Sequence, residues 1–376
     1  MARRHVELVR RFPNETESMI VSTVQLDGAE AFDRDESYRI YRQPFHFREA
    51  NRFSRQLQWS RWLVMNADSV DVIHCGNIRP AGYATMWANS RLGIPYIVYV
   101  NGGDLLRELE KTAKSSLKKR TAHRIFGKAS GIAATSEWVA DLTRQVMDQV
   151  GIRRPPPVAA LGLGTDPETF SPSKDSGKLR ERWQTIANPI LITVARLVPH
   201  KGQDTIIRAL PEVAAQFPDV RYVIIGEGGD RTRLLGLARD LGVESNVILA
   251  GALPDADLPE AYATSTIYVG ASRIDRAVNA EGYGISFLEA ASSGLPVVAG
   301  DSGGVRSAVR DGETGIVIDP SDAGKWADTI LLLLQDGNRR KELGRAGRAA
   351  VESYYNWERT ARDTRDFTLS VTRDKR

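Results

Sequence analysis

Two carboxylates bracket a glycine-rich turn in Glu281-Gly-Tyr-Gly-Ile-Ser-Phe-Leu-Glu289, and the chain continues through Ala290-Ala-Ser-Ser-Gly-Leu-Pro into a β-branched run ending at Gly300. The pattern predicts a turn, a short helix beginning near Ile285, a stop at Gly294-Leu-Pro and then a strand. Gly282 and Gly284 let the backbone approach a ligand closely, while the free N–H groups of the first helical turn, around Ile285 and Ser286, point at an anion. Glu281 is then placed to accept sugar hydroxyls, and Glu289 to reach a ribose diol. This is phosphate-and-sugar chemistry. A motif this short equally fits an ordinary loop, helix and strand with surface glutamates.

Two further segments sharpen the choice. Ile190-Leu-Ile-Thr-Val-Ala-Arg196-Leu-Val-Pro-His-Lys201-Gly202 reads as a buried strand ending in two cations, with Gly202 opening a helical pattern through Phe217. Arg196 can grip a phosphate bidentately, and Lys201 can neutralise a second one. Val220-Arg-Tyr-Val-Ile-Ile-Gly226-Glu227-Gly228-Gly229-Asp230 is another strand ending in glycines, suited to a nucleobase lying against bare backbone. Strand carboxyl ends are where α/β sheets bind ligands, so three such loops predict one crevice.

The elements that must position these loops come from the rest of the chain. Its 376 residues, 42% hydrophobic and 26% charged, are enough for two globular domains and exclude a disordered or fibrous protein. One cysteine, Cys75, rules out an intrachain disulfide, and the chain contains no signal-peptide core or ~18-residue apolar run. The expected address is cytoplasmic, with any membrane contact peripheral, on the inner face. A net charge of +4 does not by itself imply nucleic acid. Apolar strands at Met19–Gln25, Val70–Cys75, Pro95–Val100, Gly131–Ala134 and Pro157–Ala160 alternate with helical stretches, predicting a parallel, doubly wound α/β sheet in the first half. Leu163 to Gly177, rich in Pro, Gly and Ser, reads as an interdomain linker.

The C-terminal half resembles the retaining GT-B glycosyltransferases of family 4. The resemblance is carried by Ala195-Arg-Leu-Val-Pro-His-Lys-Gly202, Ile225-Gly-Glu-Gly228, Glu281-x7-Glu289, Ser302-Gly-Gly304 and Asp311-Gly-Glu-Thr-Gly315-Ile-Val-Ile-Asp-Pro320. The form Arg276-Ala-Val-Asn-Ala-Glu281 is most similar to the branch that mannosylates phosphatidylinositol. The resemblance implies two Rossmann-like domains facing across a cleft: an acceptor domain at 1–168, a nucleotide-sugar donor domain at 169–355 and a C-terminal helix at 356–376 returning to the first. It implies a hexosyl transfer with retention from GDP-mannose or a UDP-sugar to a lipid-linked or glycan acceptor, with no cofactor required and no nucleic-acid partner. The acceptor attacks on the face the leaving group departs from, so no protein nucleophile is demanded. Arg196 and Lys201, with the backbone of Gly282, Tyr283, Gly284, Ile285 and Ser286, would stabilise the departing diphosphate. Gly226, Glu227 and Gly228 would line the donor.

Two departures from the family pattern stand out. The family opens with a strand, a Gly-Gly loop and a helix reading like Arg4 to Phe12, so the first strand and loop are expected to be truncated from this chain. The family histidine that contacts the donor sugar is replaced by Asn101, which still hydrogen-bonds but carries no charge near neutral pH. Asp104 is expected to cap a helix from Leu105. These departures keep two alternatives open: a nucleotide-sugar-binding scaffold without turnover, and a GT-B epimerase, which needs acid-base groups on both sides of the sugar.

No metal site is expected. Asp33-Arg-Asp35 and Asp255-Ala-Asp257 match a short cation-binding pattern but read as loop residues, and His5, His46, His74, His123 and His200 lack ligand spacing. The basic run from Lys111 to Lys128 holds Lys114, Lys118, Lys119, Arg120 and Arg124, with Lys111, Lys114 and Lys118 at the spacing of one helical face. It reads either as a solvated face or as a dock for an anionic leaflet or phosphate-bearing acceptor. Arg48, Arg52, Arg55 and Arg61, with Phe53, Trp59 and Trp62 as aromatic anchors, extend that surface.

Overall fold

The computed structural model describes residues 2–12, 20–24, 28–43, 52–67, 69–185, 188–275 and 279–372. His46, Arg48 and residues 276–278 lie outside these, as do Met19, Gln25 and the side chains of Arg52 and Phe53. The chain divides into two compact units. The first comprises 1–135, 139–161 and 360–376; the second comprises 136–138 and 162–359.

In the first unit β1 (Ile20–Val24) pairs in parallel with β2 (Arg39–Gln43). A separate parallel sheet runs in the order β3 (Ile73–Cys75), β4 (Tyr96–Val100), β5 (Gly131–Ala134), β6 (Val158–Ala160). β4 is buried along its whole length, which is why it reads as an unbroken apolar run rather than an alternating one. β3 is shorter than the apolar pattern suggested, because a turn in which the Val70 N–H donates to the Ala67 carbonyl at 3.0 Å and a bend at Asp71 precede it.

Three helices flank the β4 strand in sequence or in packing. α1 (Ala2–Arg11) places Leu8 against Ile97, Tyr99 and Ala133. α2 (Gly102–Lys114) follows β4, and α3 (Ser116–Gly127) follows α2. Gly102 and Gly103 enter the first turn of α2, so Asn101 is its N-cap and Asp104 stands inside the helix. That corrects the expected start at Leu105. The single basic face is corrected too: Ser115 breaks the helix and its hydroxyl accepts from the Lys118 N–H, putting Lys111 and Lys114 on α2 and Lys118 on α3. Trp59 is no surface anchor, since it is buried and donates its indole N–H to Ser22 Oγ at 2.9 Å. Asp33 and Asp35 lie on a short helix, Glu30–Asp35, rather than in a loop, and Asp33 accepts from Arg42 at 2.7 and 2.6 Å.

The second unit is built on a six-stranded parallel sheet. Its strands are β7 (Ile190–Val194), β8 (Arg221–Ile225), β9 (Val247–Gly251), β10 (Ile267–Gly270), β11 (Val297–Gly300) and β12 (Ile316–Ile318), in the order β12-β11-β10-β7-β8-β9. Alternate residues serve opposite faces, as strand geometry requires: Leu191, Tyr222 and Ile224 join one core, and Ile190, Ile192, Val223 and Ile225 the other. Helix α4 (Gln203–Gln216) covers the first face with Ile206, Ile207 and Leu210, joined by Leu234 of α5 (Arg231–Asp240). Helix α6 (Ile285–Ser292) covers the second with Phe287 and Leu288. Each such side chain contributes about 1.5–3 kcal/mol by leaving water.

The segment from Gly162 to Gly177 belongs to the second unit rather than linking two domains. Phe170 is 1% exposed within its core, and the Phe170 carbonyl accepts from Ser292 Oγ at 2.6 Å. Proline and glycine marked the turns there correctly but said nothing about burial. α7 (Trp357–Thr372) begins in the second unit and from Thr360 belongs to the first, where Phe367 and Val371 pack against Leu8, Ile97 and Tyr99.

Candidate active site

Strand order in the second unit reverses between β7 and β10, the switch point where open α/β sheets take ligands beyond their strand ends. The loop leaving β7 carries Arg196 and Lys201, and the loop leaving β10 leads to Glu281. The structure joins them: Lys201 Nζ lies 2.5 Å from Glu281 Oε2, both side chains less than one-fifth exposed. Burial, the largest single influence, pushes the Glu281 carboxyl up. The charge and hydrogen bond of Lys201, helped by the Tyr283 N–H, outweigh it and hold the group below the usual carboxylate range. Glu281 is therefore an anion here, able to accept hydroxyl donors but not to give up a proton.

Arg196 is exposed and makes no ion pair among the described residues; its carbonyl accepts from Gln203 Nε2 at 3.0 Å. Gly202 has φ +70°, and a Cβ there would run into the Ala271 carbonyl oxygen, so the β7 and β10 loops meet backbone to backbone. Across the same junction the Arg273 N–H donates to the His200 carbonyl at 2.9 Å. Burial, followed by the charges of Lys201 and Arg196, lowers the His200 imidazole below its ordinary value.

The turn before α6 is propped from beneath. The Gly304 N–H donates to the Glu281 carbonyl at 2.8 Å, and a Cβ on Gly304 would collide with the Gly282 carbonyl. Gly284 is the N-cap of α6 with no side-chain cap. The Phe287 N–H donates to the Gly284 carbonyl, which leaves the opening N–H groups of Ile285 and Ser286 for an anion. Ser286 Oγ accepts from Tyr268 OH at 2.8 Å. Tyr283 is buried, its hydroxyl donating to the Leu163 carbonyl at 3.3 Å. Glu289 is 3% exposed and accepts from Tyr262 OH at 2.8 Å.

At the end of β8, the Gly226 N–H donates to the Gly251 carbonyl at 2.8 Å, and the Glu227 carbonyl accepts from the Leu197 N–H at 2.9 Å. Glu227 and Gly228 are exposed. Asn101 belongs to the first unit and donates its side-chain amide to Asp104 Oδ2 at 3.2 Å. Lys114, Lys119 and Arg120 are exposed there, while Lys118 is half-buried with Nζ 3.5 Å from Tyr83 OH. Among the described residues no group of histidine, cysteine or carboxylate side chains could hold a metal ion, and no helix is long and apolar enough to cross a membrane. Residue patterns pointed to the charged ends of the strands but not to the supports: Tyr262, Tyr268, Asp204, Arg233 and Arg273 carry no motif, and only the place of Arg273 just past a strand end could have flagged it.

Two parallel Rossmann-like sheets with a site at a switch point define the GT-B class, and solved structures agree. The structure of Anabaena Alr3699/HepE in complex with UDP and glucose superposes with a TM-score of 0.75 at 20% identity, covering 98% of this chain and 95% of that one. Sucrose-phosphate synthase from Thermosynechococcus elongatus gives 0.78 at 18% identity, covering 100% and 94%. The Glycosyltransferase Family 4 model matches residues 1–153, and the model for glycosyl transferases group 1 matches residues 178–350. A D-inositol 3-phosphate glycosyltransferase of Acidothermus cellulolyticus is 30% identical over 320 residues, 81% of this chain and 67% of that protein. The chain belongs to this family of glycosyltransferases. A GDP-mannose-dependent alpha-(1-6)-phosphatidylinositol monomannoside mannosyltransferase of Mycolicibacterium smegmatis is 38% identical over 199 residues, 52% of each chain. The match thus spans about half the length of that relative.

Proposed function

We propose that this protein is a retaining glycosyltransferase that moves a hexosyl group from a nucleoside-diphosphate sugar to an acceptor hydroxyl. The observation that carries the reading is the Lys201–Glu281 ion pair at the switch point, on a loop that also bears the exposed Arg196. The bond between the anomeric carbon and the diphosphate oxygen breaks, the acceptor oxygen bonds to that carbon on the same face, and the acceptor proton passes to the departing diphosphate. Arg196, Lys201 and the first N–H groups of α6 oppose the charge that develops on the leaving group, a role worth about 10²–10³ in rate per donor. Glu281, kept ionised, orients the sugar through its hydroxyls. Gly226 to Gly228 and Glu289 serve the nucleoside.

The donor is GDP-mannose and the acceptor a phosphatidylinositol-type glycolipid at the cytoplasmic face of a membrane, a choice supported by the GDP-mannose-dependent mannosyltransferase relative and by the exposed Lys114, Lys119 and Arg120. The test is transfer of radiolabelled mannose from GDP-mannose to extracted phosphatidylinositol mannosides. Labelled lipid is expected from the wild-type chain and none from Glu281→Ala. Equal product from both would remove Glu281 from the mechanism, and labelled lipid from radiolabelled UDP-glucose in a parallel reaction, with none from GDP-mannose, would replace the donor.

A further inference from the structure

Asp204 sits in the first turn of α4, two residues past Gly202, with its side chain only 12% exposed. It is held by two arginines, one from the loop after β10 and one from the start of α5. Arg273, three residues beyond β10, donates from Nη2 to Asp204 Oδ2 at 3.0 Å, places Nη1 3.0 Å from Oδ1, and reaches Thr205 Oγ1 at 3.2 Å. Arg233, in the first turn of α5, donates to Asp230 at 2.7 and 2.6 Å and extends Nη1 to within 3.5 Å of Asp204 Oδ2. Asp230 is buried and ends the Gly226–Gly229 loop, its N–H donating to the Leu197 carbonyl at 3.2 Å. Two carboxylates and two guanidiniums thus balance one another where the loops leaving β7, β8 and β10 converge. The Arg233–Asp230 pair is bidentate and so fixes orientation as well as charge, whereas Arg273 gives Asp204 one hydrogen bond, at Oδ2, with Asp204 Oδ1 close to Nη1 but without a hydrogen bond among the described residues.

We propose that Asp204 is a positioning residue for the donor site: it ties the three ligand loops together, so that Lys201, the Gly226–Gly229 loop and the segment leading to Glu281 hold one register. The inference rests on the donor-site reading. Asp204 acts through Arg273 and Arg233 and needs no contact with substrate. Removing its charge leaves Arg273 without its anion and Arg233 with Asp230 alone, so the link between the loops is lost while the sheet beneath them, packed by apolar side chains, stays intact. A displacement of about 1 Å at such a site costs up to about a hundredfold.

The test uses the full chain with Asp204→Asn, Asp204→Glu and Arg273→Gln, and Glu244→Gln as a control on an exposed ion pair with Arg239. Hydrogen exchange followed by mass spectrometry reads residues 195–204, 226–233 and 268–275, and calorimetry reads GDP and UDP binding. Asp204→Asn is expected to speed exchange at the Asp230 and Arg273 amides and to weaken the nucleoside diphosphate that binds wild type by about ten- to a hundredfold. Asp204→Glu should recover part of the affinity, and Arg273→Gln, at a partly exposed side chain, should reproduce the loss if Asp204→Asn fails to fold. Wild-type affinity and exchange in both Asp204→Asn and Arg273→Gln would overturn the positioning role and leave the donor site standing. No nucleoside diphosphate bound by the wild-type chain would overturn the donor-site reading, and this role with it.

Discussion

In the second unit, charged groups stand at the carboxyl ends of the strands over two apolar cores; in the first, several ionisable groups lie within the packing itself. Lys201, Glu281, Asp204 and Arg273 all project from beyond the strand ends, while the sheet under them is closed by Leu191, Tyr222, Val223 and their neighbours. Around β4 of the first unit, Arg4 is 6% exposed with its guanidinium carbon 4.6 Å from the Tyr99 ring centre, and its Nε and Nη2 find no acceptor among the described residues. Burial lowers that guanidinium to about 10. His74 meets Tyr99 OH at 2.7 Å, and His5 stacks edge-on to the same ring. One unit sets its charges beyond its strand ends, whereas the other buries ionisable groups where protonating them costs stability as the pH falls.

The largest effect expected from this contrast is catalytic. Lys201→Ala should lower turnover by about 10²–10³, whereas changes at the Arg4–Tyr99 cluster should act on melting before turnover; steady-state kinetics beside calorimetric melts separate the two. Equal loss of rate from both sites would break the comparison. Next is Gly304→Ala, which forces a Cβ against the Gly282 carbonyl. It should destabilise the second unit by about 1–3 kcal/mol and weaken nucleotide binding, as denaturant unfolding and titration would show.

The third effect depends on pH. His5 and His74 are lowered from 6.5 to about 3 and about 4, chiefly by burial, with the Arg4 charge second for His5. The unfolded chain therefore takes up protons first. Stability is complete above about pH 6.5 and falls with pH toward the folded values, by about 1.4 kcal/mol per pH unit from each histidine. His200 adds a loss of the same sign in the second unit, and Glu281, depressed below 4.5, adds its own only at lower pH. Hydrogen exchange at pH 7 and pH 5 should show the first unit opening more, and His74→Gln should flatten that difference. The smallest effect is at the basic tip formed by α2 and α3. Lys119→Glu with Arg120→Glu should change melting by less than about 0.5 kcal/mol, while flotation with anionic vesicles should fall by about 1 kcal/mol per cation removed; unchanged flotation would reduce that surface to a solvated face.

Legibility in the sequence tracked the range of the interactions. The strand ends just before Arg196 and Gly226, the start of α6 at Ile285 and its stop just before Gly294 all rest on neighbours within a few residues, so composition and periodicity exposed them. The Lys201–Glu281 pair spans 80 positions and the Arg273–Asp204 pair 69, distances that only the order of strands in the sheet brings together. The break at Ser115 was hidden because lysine spacing continues across it, and Phe170 was hidden because turn residues surround a buried ring. The polar cluster around Tyr99 has no pattern at all, since Arg4, His5 and His74 reach it from α1 and β3.

Whether the cations of the second unit hold a nucleoside diphosphate is the question on which the function turns. A thermal-shift series of GDP and UDP, each with and without Mg2+, on the wild-type chain and on Arg196→Ala and Lys201→Ala tests it most directly. One nucleotide is expected to raise the wild-type melting temperature, with about 2.7 kcal/mol of stabilisation at a hundredfold excess over its dissociation constant, and both substitutions are expected to erase the shift. A wild-type chain that no nucleoside diphosphate stabilises, or variants that shift as much as wild type, would contradict the assignment of these cations to the donor diphosphate.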